Sequence, residues 1–120
     1  MPTAEKHKQQ YESNRSFMST IDNKYMDWRI TVAFYCAVHL VDKILAEKMN
    51  VHPWSHIDRL TAVNRVDPIK SGSADYSVLY TLSRKARYDC TCLKQADVNN
   101  AIRCLNTVEN IANKSIDSNT

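Results

Sequence analysis

Residues 27–42, DWRITVAFYCAVHLVD, are apolar at nearly every helical position and carry a single histidine, His39, near their middle. A helix that is apolar on all sides belongs inside a bundle rather than on its rim. A polar side chain on such a helix needs a partner or a task. The spacing predicts a helix from about Asp27, as N-cap, to Met49, the most enclosed member of the fold. Asn50-Val51-His52-Pro53-Trp54 ends it, because the residue before a proline avoids the α region.

The flanks read as further helices. Thr3 is a candidate N-cap for a helix from Ala4 to about Thr20, with Glu5 in its favourable first turn. Its inward row is His7, Tyr11, Asn14, Met18 and Ile21, an unusually polar stripe that either grazes the bundle edge or lines a cleft. Ser55-His56-Ile57-Asp58 fits a capping box, so a short helix begins at His56 and ends near Val66, ahead of Asp67-Pro68. Ile57, Leu60 and Val63 or Asn64 are its expected buried side. Ile69–Ser73, with the only glycine, Gly72, reads as the loosest region. A fourth helix follows to about Asp89, with Tyr76, Leu79, Ser83 and Ala86 beside Tyr80 and Arg87 on one face. A fifth, about Ala96–Ile116, repeats Val98, Ala101, Ile102, Leu105, Val108, Ile111 and Ala112. The polar tail from 117 to 120 reads as frayed. The expected fold is all-α, one domain over 1–120 with an ordered core of about 4–116, an up-and-down antiparallel bundle of about five helices.

Composition agrees. One glycine and three prolines in 120 residues disfavour a many-hairpin β protein. The net charge of +3 is mild, but Arg84, Lys85, Arg87 and Lys94 face only Asp89 within Ser83–Lys94. That segment alone carries the whole excess. The bland reading is a solvated helix end, where cations are favoured. No apolar run is long enough to span a bilayer and the N-terminus lacks a signal-peptide core, so a cytoplasmic location without membrane contact is expected. The four cysteines are then thiols, Cys36 and Cys104 in the core. Cys90-Thr91-Cys92 departs from the usual zinc spacing, and no metal or cofactor is expected.

Three groups of residues carry candidate chemistry. His39 has Tyr35 one turn before and Asp42 almost one turn after, either of which can fix its tautomer for general-base work. The competing reading is a hydrogen-bonded core histidine. His56 and Arg59 share a face at a helix start, an arrangement that suits an anion, unless Arg59 pairs with an acidic neighbour. Arg87 lies on the inward row of its helix, so it bonds a carboxylate or lines a cleft that receives an anion. Ser83, Arg84 and Tyr88 surround it, and cations interleaved with aromatics suit single-stranded nucleic acid. The tyrosines at helical spacing equally suit simple packing. Glycine-rich phosphate loops, H-E-x-x-H, G-x-S-x-G and paired carboxylates are missing, which removes kinase, dehydrogenase and familiar hydrolase readings.

AFYCAVHLVD (33–42), HPWSHIDR (52–59) and LYTLSRKARYDC (79–90) together resemble small prokaryotic proteins of the HEPN superfamily (higher eukaryotes and prokaryotes nucleotide-binding), over roughly residues 5–112. The resemblance implies a four- or five-helix bundle, often a homodimer with two active faces across a cleft. It implies a link to RNA or nucleotides: many members are metal-independent ribonucleases in toxin–antitoxin, phage-defence or CRISPR settings, and others bind nucleotides or partner proteins without catalysis. Catalytic members carry Arg followed four to six residues later by His. Here the nearest case, Arg29 to His39, has nine residues between. The catalytic pair therefore does not carry over, and what resembles the subgroup is His39, His56, Arg59, Ser83, Arg87 and Tyr88. Two functions follow as expectations. One is a nuclease with His39 or His56 as base and Arg59 or Arg87 on the phosphoryl charge; the other is a non-catalytic dimeric binding or scaffold module.

Overall fold

The computed structural model describes residues 2–90 and 92–117, so the expected frayed tail at 118–120 lies outside the described residues. Five α-helices make the fold: α1 (Ala4–Met18), α2 (Met26–Met49), α3 (His56–Val63), α4 (Ser73–Tyr88) and α5 (Gln95–Asp117), with a 3-10 turn at Ile69–Gly72. Strands are absent among the described residues. The all-helical bundle that the periodicity implies is the fold.

Local chemistry sets the helix ends. Thr3 Oγ1 accepts from the Lys6 N–H at 3.2 Å and Ser55 Oγ from the Asp58 N–H at 3.1 Å, satisfying donors that the first turns of α1 and α3 would leave open. α2 begins two residues earlier than its sequence suggests, behind Tyr25 rather than Asp27 as N-cap, with no side-chain cap. It stops where Asn50 turns left-handed at φ 52°, a conformation asparagine tolerates.

α2 is the axis of the molecule and packs against α1, α4 and α5, while α3 crosses near one end. Ile30, Ala33, Phe34, Ala37, Val41, Ile44 and Leu45 are fully buried along it, as an all-round apolar helix must be. Leu79 of α4 and Val98, Ala101, Leu105 and Val108 of α5 close the core from the other side. One row of α2 stays unsealed: Trp28 is exposed, and Val32, Tyr35 and His39 are half-buried at spacings of four, three and four. That row is where polar side chains from α1 and α4 arrive.

Two local expectations change. The 69–73 stretch is not loose, because Ile69 is fully buried and Gly72 sits against α5. A Cβ at Gly72 would stand 2.5 Å from Ile111 Cδ1, so this glycine serves close approach rather than a flexible turn. In α3, Ile57 is 61 % exposed while Arg59 is 8 % exposed. The helix is rotated to bury its arginine, and the reason lies on α2.

Candidate functional site

Asp42, near the end of the buried part of α2, meets Arg59 in a two-point ion pair. Arg59 Nε donates to Oδ1 at 2.7 Å and Nη2 to Oδ2 at 3.0 Å. Both partners are almost wholly buried, so the attraction acts with little screening and each charge needs the other. Arg59 therefore turns inward, carrying α3 with it and leaving Ile57 to solvent. Its remaining fork atom, Nη1, donates to His56 Nδ1 at 3.1 Å. A guanidinium only donates, so His56 Nδ1 keeps its lone pair and the neutral ring holds its proton on Nε2. Burial lowers the His56 pKa first, and the charges of Arg59 and then Arg87 lower it further. His56 is thus a neutral ring offering a donor, not a base, at its free nitrogen.

Phe34 links this corner to α4. Its ring lies 5.3 Å from His56 and 5.9 Å from both Tyr76 and Tyr80, centroid to centroid. The Tyr76 hydroxyl is buried beside the Arg59 guanidinium without a well-formed hydrogen bond among the described residues, and burial raises its pKa well above the usual phenol range.

Arg87 comes to the same aromatic cluster from α4. Its Nη1 donates to Tyr35 Oη at 3.0 Å; Nε and Nη2 donate to the Ser83 carbonyl and hydroxyl oxygens, each at 3.2 Å. The guanidinium carbon lies 4.9 Å from the Tyr88 ring centroid, 5.5 Å from Phe34 and 5.7 Å from Tyr35. The ion pairs among the described residues are Arg15–Glu109, Lys43–Glu47, Arg59–Asp42 and Arg103–Asp75, so Arg87 has no carboxylate there. Neutral groups hold it in place. Arg84 extends the patch outward, its Nη1 donating to Tyr80 Oη at 3.3 Å with the guanidinium over the Tyr80 ring. Tyr88 is 64 % exposed, an open aromatic face beside the cation.

His39 departs from its expected contacts. Asp42 is taken by Arg59 and Tyr35 by Arg87, and the partner of His39 is instead His7 on α1. The two Nδ1 atoms are 3.0 Å apart and the ring centroids 5.3 Å. Burial is the main cause that lowers both pKa values. His7 also lines a cavity of about 400 Å³ with Asp42, Val51, His52, Pro53 and Trp54. The polar inward row of α1 thus reaches real partners: His7 joins His39, and the Tyr11 hydroxyl donates to Glu109, which also pairs with Arg15.

The residues singled out in the sequence therefore fall into three connected groups. His56 and Arg59 close on Asp42; Arg87, Tyr35, Ser83, Arg84 and Tyr88 form an open cationic and aromatic patch; His39 stands one turn away with His7. His7 was legible as a member of an odd polar stripe but not as a site residue. Cys36 and Cys104 are buried thiols, and burial pushes them up to about 12 and about 11, so they are inert. Among the described residues no three His, Cys, Asp or Glu side chains converge on a metal position. No helix among them is long and apolar enough to cross a membrane. Compared with protein-family models, curated proteins and solved structures, the chain gives no match.

Proposed function

We propose that this chain is a HEPN-type protein that engages single-stranded RNA, with a backbone phosphate seated on Arg87 and bases resting on Tyr88 and Tyr80. The observation that carries the reading is the Arg87 guanidinium, propped by Tyr35 and Ser83 beside an open tyrosine with no carboxylate among the described residues. A fixed, planar cation without a counter-charge suits a phosphate diester. Arg84 adds a second charge along the same helix, and aromatic faces beside cations hold unstacked bases without sequence preference. His56, neutral with its proton on Nε2, supplies a hydrogen bond rather than a competing charge. A defence or toxin–antitoxin setting remains the family's suggestion for where such an RNA-linked protein works.

Fluorescence anisotropy with a short labelled single-stranded RNA tests this. Wild-type protein is expected to bind with a salt-dependent affinity. Arg87→Ala should weaken binding by on the order of tenfold or more and reduce the salt slope by about one. Absence of binding at low salt, or binding untouched by Arg87→Ala, overturns the reading.

A second reading, a non-catalytic dimeric module, draws on a different face. Phe17, Tyr25 and Trp28 are exposed around a shallow apolar cavity of about 550 Å³ at the α1–α2 turn. Exposed apolar clusters of this kind mark association surfaces. Light scattering on wild type and Trp28→Glu decides it, because a dimer through this face should become a monomer in the variant.

A further inference from the structure

α1 has few anchors in the bundle. Of its residues His7 and Met18, near its two ends, are the buried ones. Between them it meets α5 at Glu109, which accepts from the Tyr11 hydroxyl and pairs with a partly exposed Arg15. An ion pair with one partner in solvent contributes little. A polar helix of 15 residues is marginal in isolation, so α1 keeps its shape by lying on α2. The contact between His7 and His39 secures one whole end of it.

That contact has a constrained proton count. With the two Nδ1 atoms 3.0 Å apart, one carries a proton and the other accepts it, so the donating ring has a bare Nε2 and the accepting ring a protonated one. One added proton enters at the bare Nε2 and leaves the shared bond intact. A second finds only the accepting Nδ1. Two N–H groups then face each other between two positive rings, and the bond becomes a repulsion. The surroundings oppose this charging. Burial comes first for both rings. At His7, Asp42 on α2 favours protonation, while Arg59 on α3 and His52 between α2 and α3 oppose it. At His39, His7 opposes it ahead of the same Asp42 and Arg59. Asp42 is bonded to Arg59, so its charge is already answered. Solvent still has a route to the rings, because His39 is half-buried and His7 lines the cavity of about 400 Å³.

We infer that the His7–His39 contact is an acid-sensitive latch, whose opening swings α1 away about the turn at 19–25 and uncovers the side of α2 beneath it while α2 to α5 stay packed. This does not rest on the RNA reading. Met18 remains at the hinge. The rest of the core is independent of α1, because Leu79 of α4 and Val98, Ala101, Leu105 and Val108 of α5 close on α2 from the other side. The buried thiol of Cys36 lies in the stretch that α1 covers: it feels the charges of Arg15 and Glu109, and Tyr11 in turn feels Cys36.

The latch has a definite direction and steepness. Both rings are held below the ordinary histidine value of 6.5 in the closed form, so the contact is complete above that pH and is lost as pH falls through it. Opening frees both rings to take up protons. The open fraction therefore rises by up to about 10²-fold per pH unit, against about tenfold for a single ring.

The cysteines report on it from inside the chain. Cys90 and Cys92 are exposed and set the intrinsic thiol reactivity at each pH. Cys104 is buried at the α4–α5 contact, its Sγ donating to Asp75 Oδ1 at 3.5 Å, and marks unfolding of the whole bundle. The experiment labels the protein with a dipyridyl disulfide, which stays reactive toward thiols in mild acid, and reads each cysteine by peptide mass spectrometry between about pH 7.5 and about pH 5.5. Relative to Cys90 and Cys92, labelling of Cys36 is expected to rise by on the order of tenfold or more toward acid, with Cys104 protected throughout. His7→Asn keeps a hydrogen-bonding amide near the Nδ1 position but takes up no proton, so its response to pH should be shallower, whatever its level at neutral pH. His39→Gln gives the same reading from the other ring. Cys36 staying protected, Cys36 and Cys104 becoming reactive together, or both variants following the wild-type profile overturns the latch.

Discussion

Arg59 and Arg87 reach one aromatic cluster from different helices, and both charges are felt by His56. Arg59 is 8 % exposed and engages all three of its guanidinium nitrogens with Asp42 and His56, its charge answered by the buried carboxylate. Arg87 is half-buried and rests on a phenol, a hydroxyl, a carbonyl and ring faces, none of which cancels its charge. A cation that has its carboxylate belongs to the architecture. One positioned by neutral groups keeps its electrostatic field for something that arrives from solvent. The same residue type, meeting the same cluster at His56 in one case and at Phe34 in the other, is structural in the first and available in the second.

The largest expected effect breaks the structural side. Arg59→Ala leaves the Asp42 carboxylate buried without a counter-charge and should cost about 3–5 kcal/mol in urea unfolding. A loss comparable with an ordinary surface substitution would mean that the pair is dispensable and that α3 is oriented by something else.

Next comes the response to acid. His7, His39 and His56 all have lowered pKa values, each chiefly through burial. The unfolded chain therefore takes up more protons than the folded one once pH drops below 6.5, and stability rises with pH across that region. The contribution is complete above 6.5 and is lost as pH falls from there toward the lowered folded values. Melting midpoints between pH 7.5 and 5 should decline from about 6.5 downward, above the ordinary carboxylate range. A flat profile in that interval would show these rings to be as wet as free histidine.

The sequence was a good guide where causes are local. Thr3 and Ser55 cap as their spacing implies, α2 is enclosed as its composition demands, and His56 and Arg59 share a face because they are three apart. It failed where the deciding partner is distant along the chain. His39 was matched with Tyr35 and Asp42, its helix neighbours, but His7 lies 32 residues away and arrives only through the rotation of α1 against α2. Ile57 was counted inward because it is apolar, yet a buried carboxylate on α2 drew Arg59 in instead. Gly72 was read as slack, whereas its missing Cβ makes room for Ile111. The candidate patch around Arg87 was legible as a cluster of residue types; whether a carboxylate would neutralise it was not, since that depends on how four helices pack.

A smaller effect sharpens the link between capping and the structural pair. Ser55→Ala removes the acceptor for the Asp58 N–H and should cost about 1 kcal/mol. Because α3 is only eight residues long and carries both His56 and Arg59, the loss should appear as faster amide exchange confined to α3. Exchange rising equally in α4 would show that the two arginine environments are mechanically one.

The smallest stability effect is expected where the functional claim is largest. Arg87→Ala removes hydrogen bonds to Tyr35 and Ser83, yet neither is stranded. The Ser83 hydroxyl still donates to the Tyr80 carbonyl at 2.8 Å, and Tyr35 is half-buried and can turn to water. No buried charge is left unpaired, so the cost should be about 1 kcal/mol or less. If Arg87→Ala lowers stability as much as Arg59→Ala does, both arginines hold the bundle together and the distinction between them disappears.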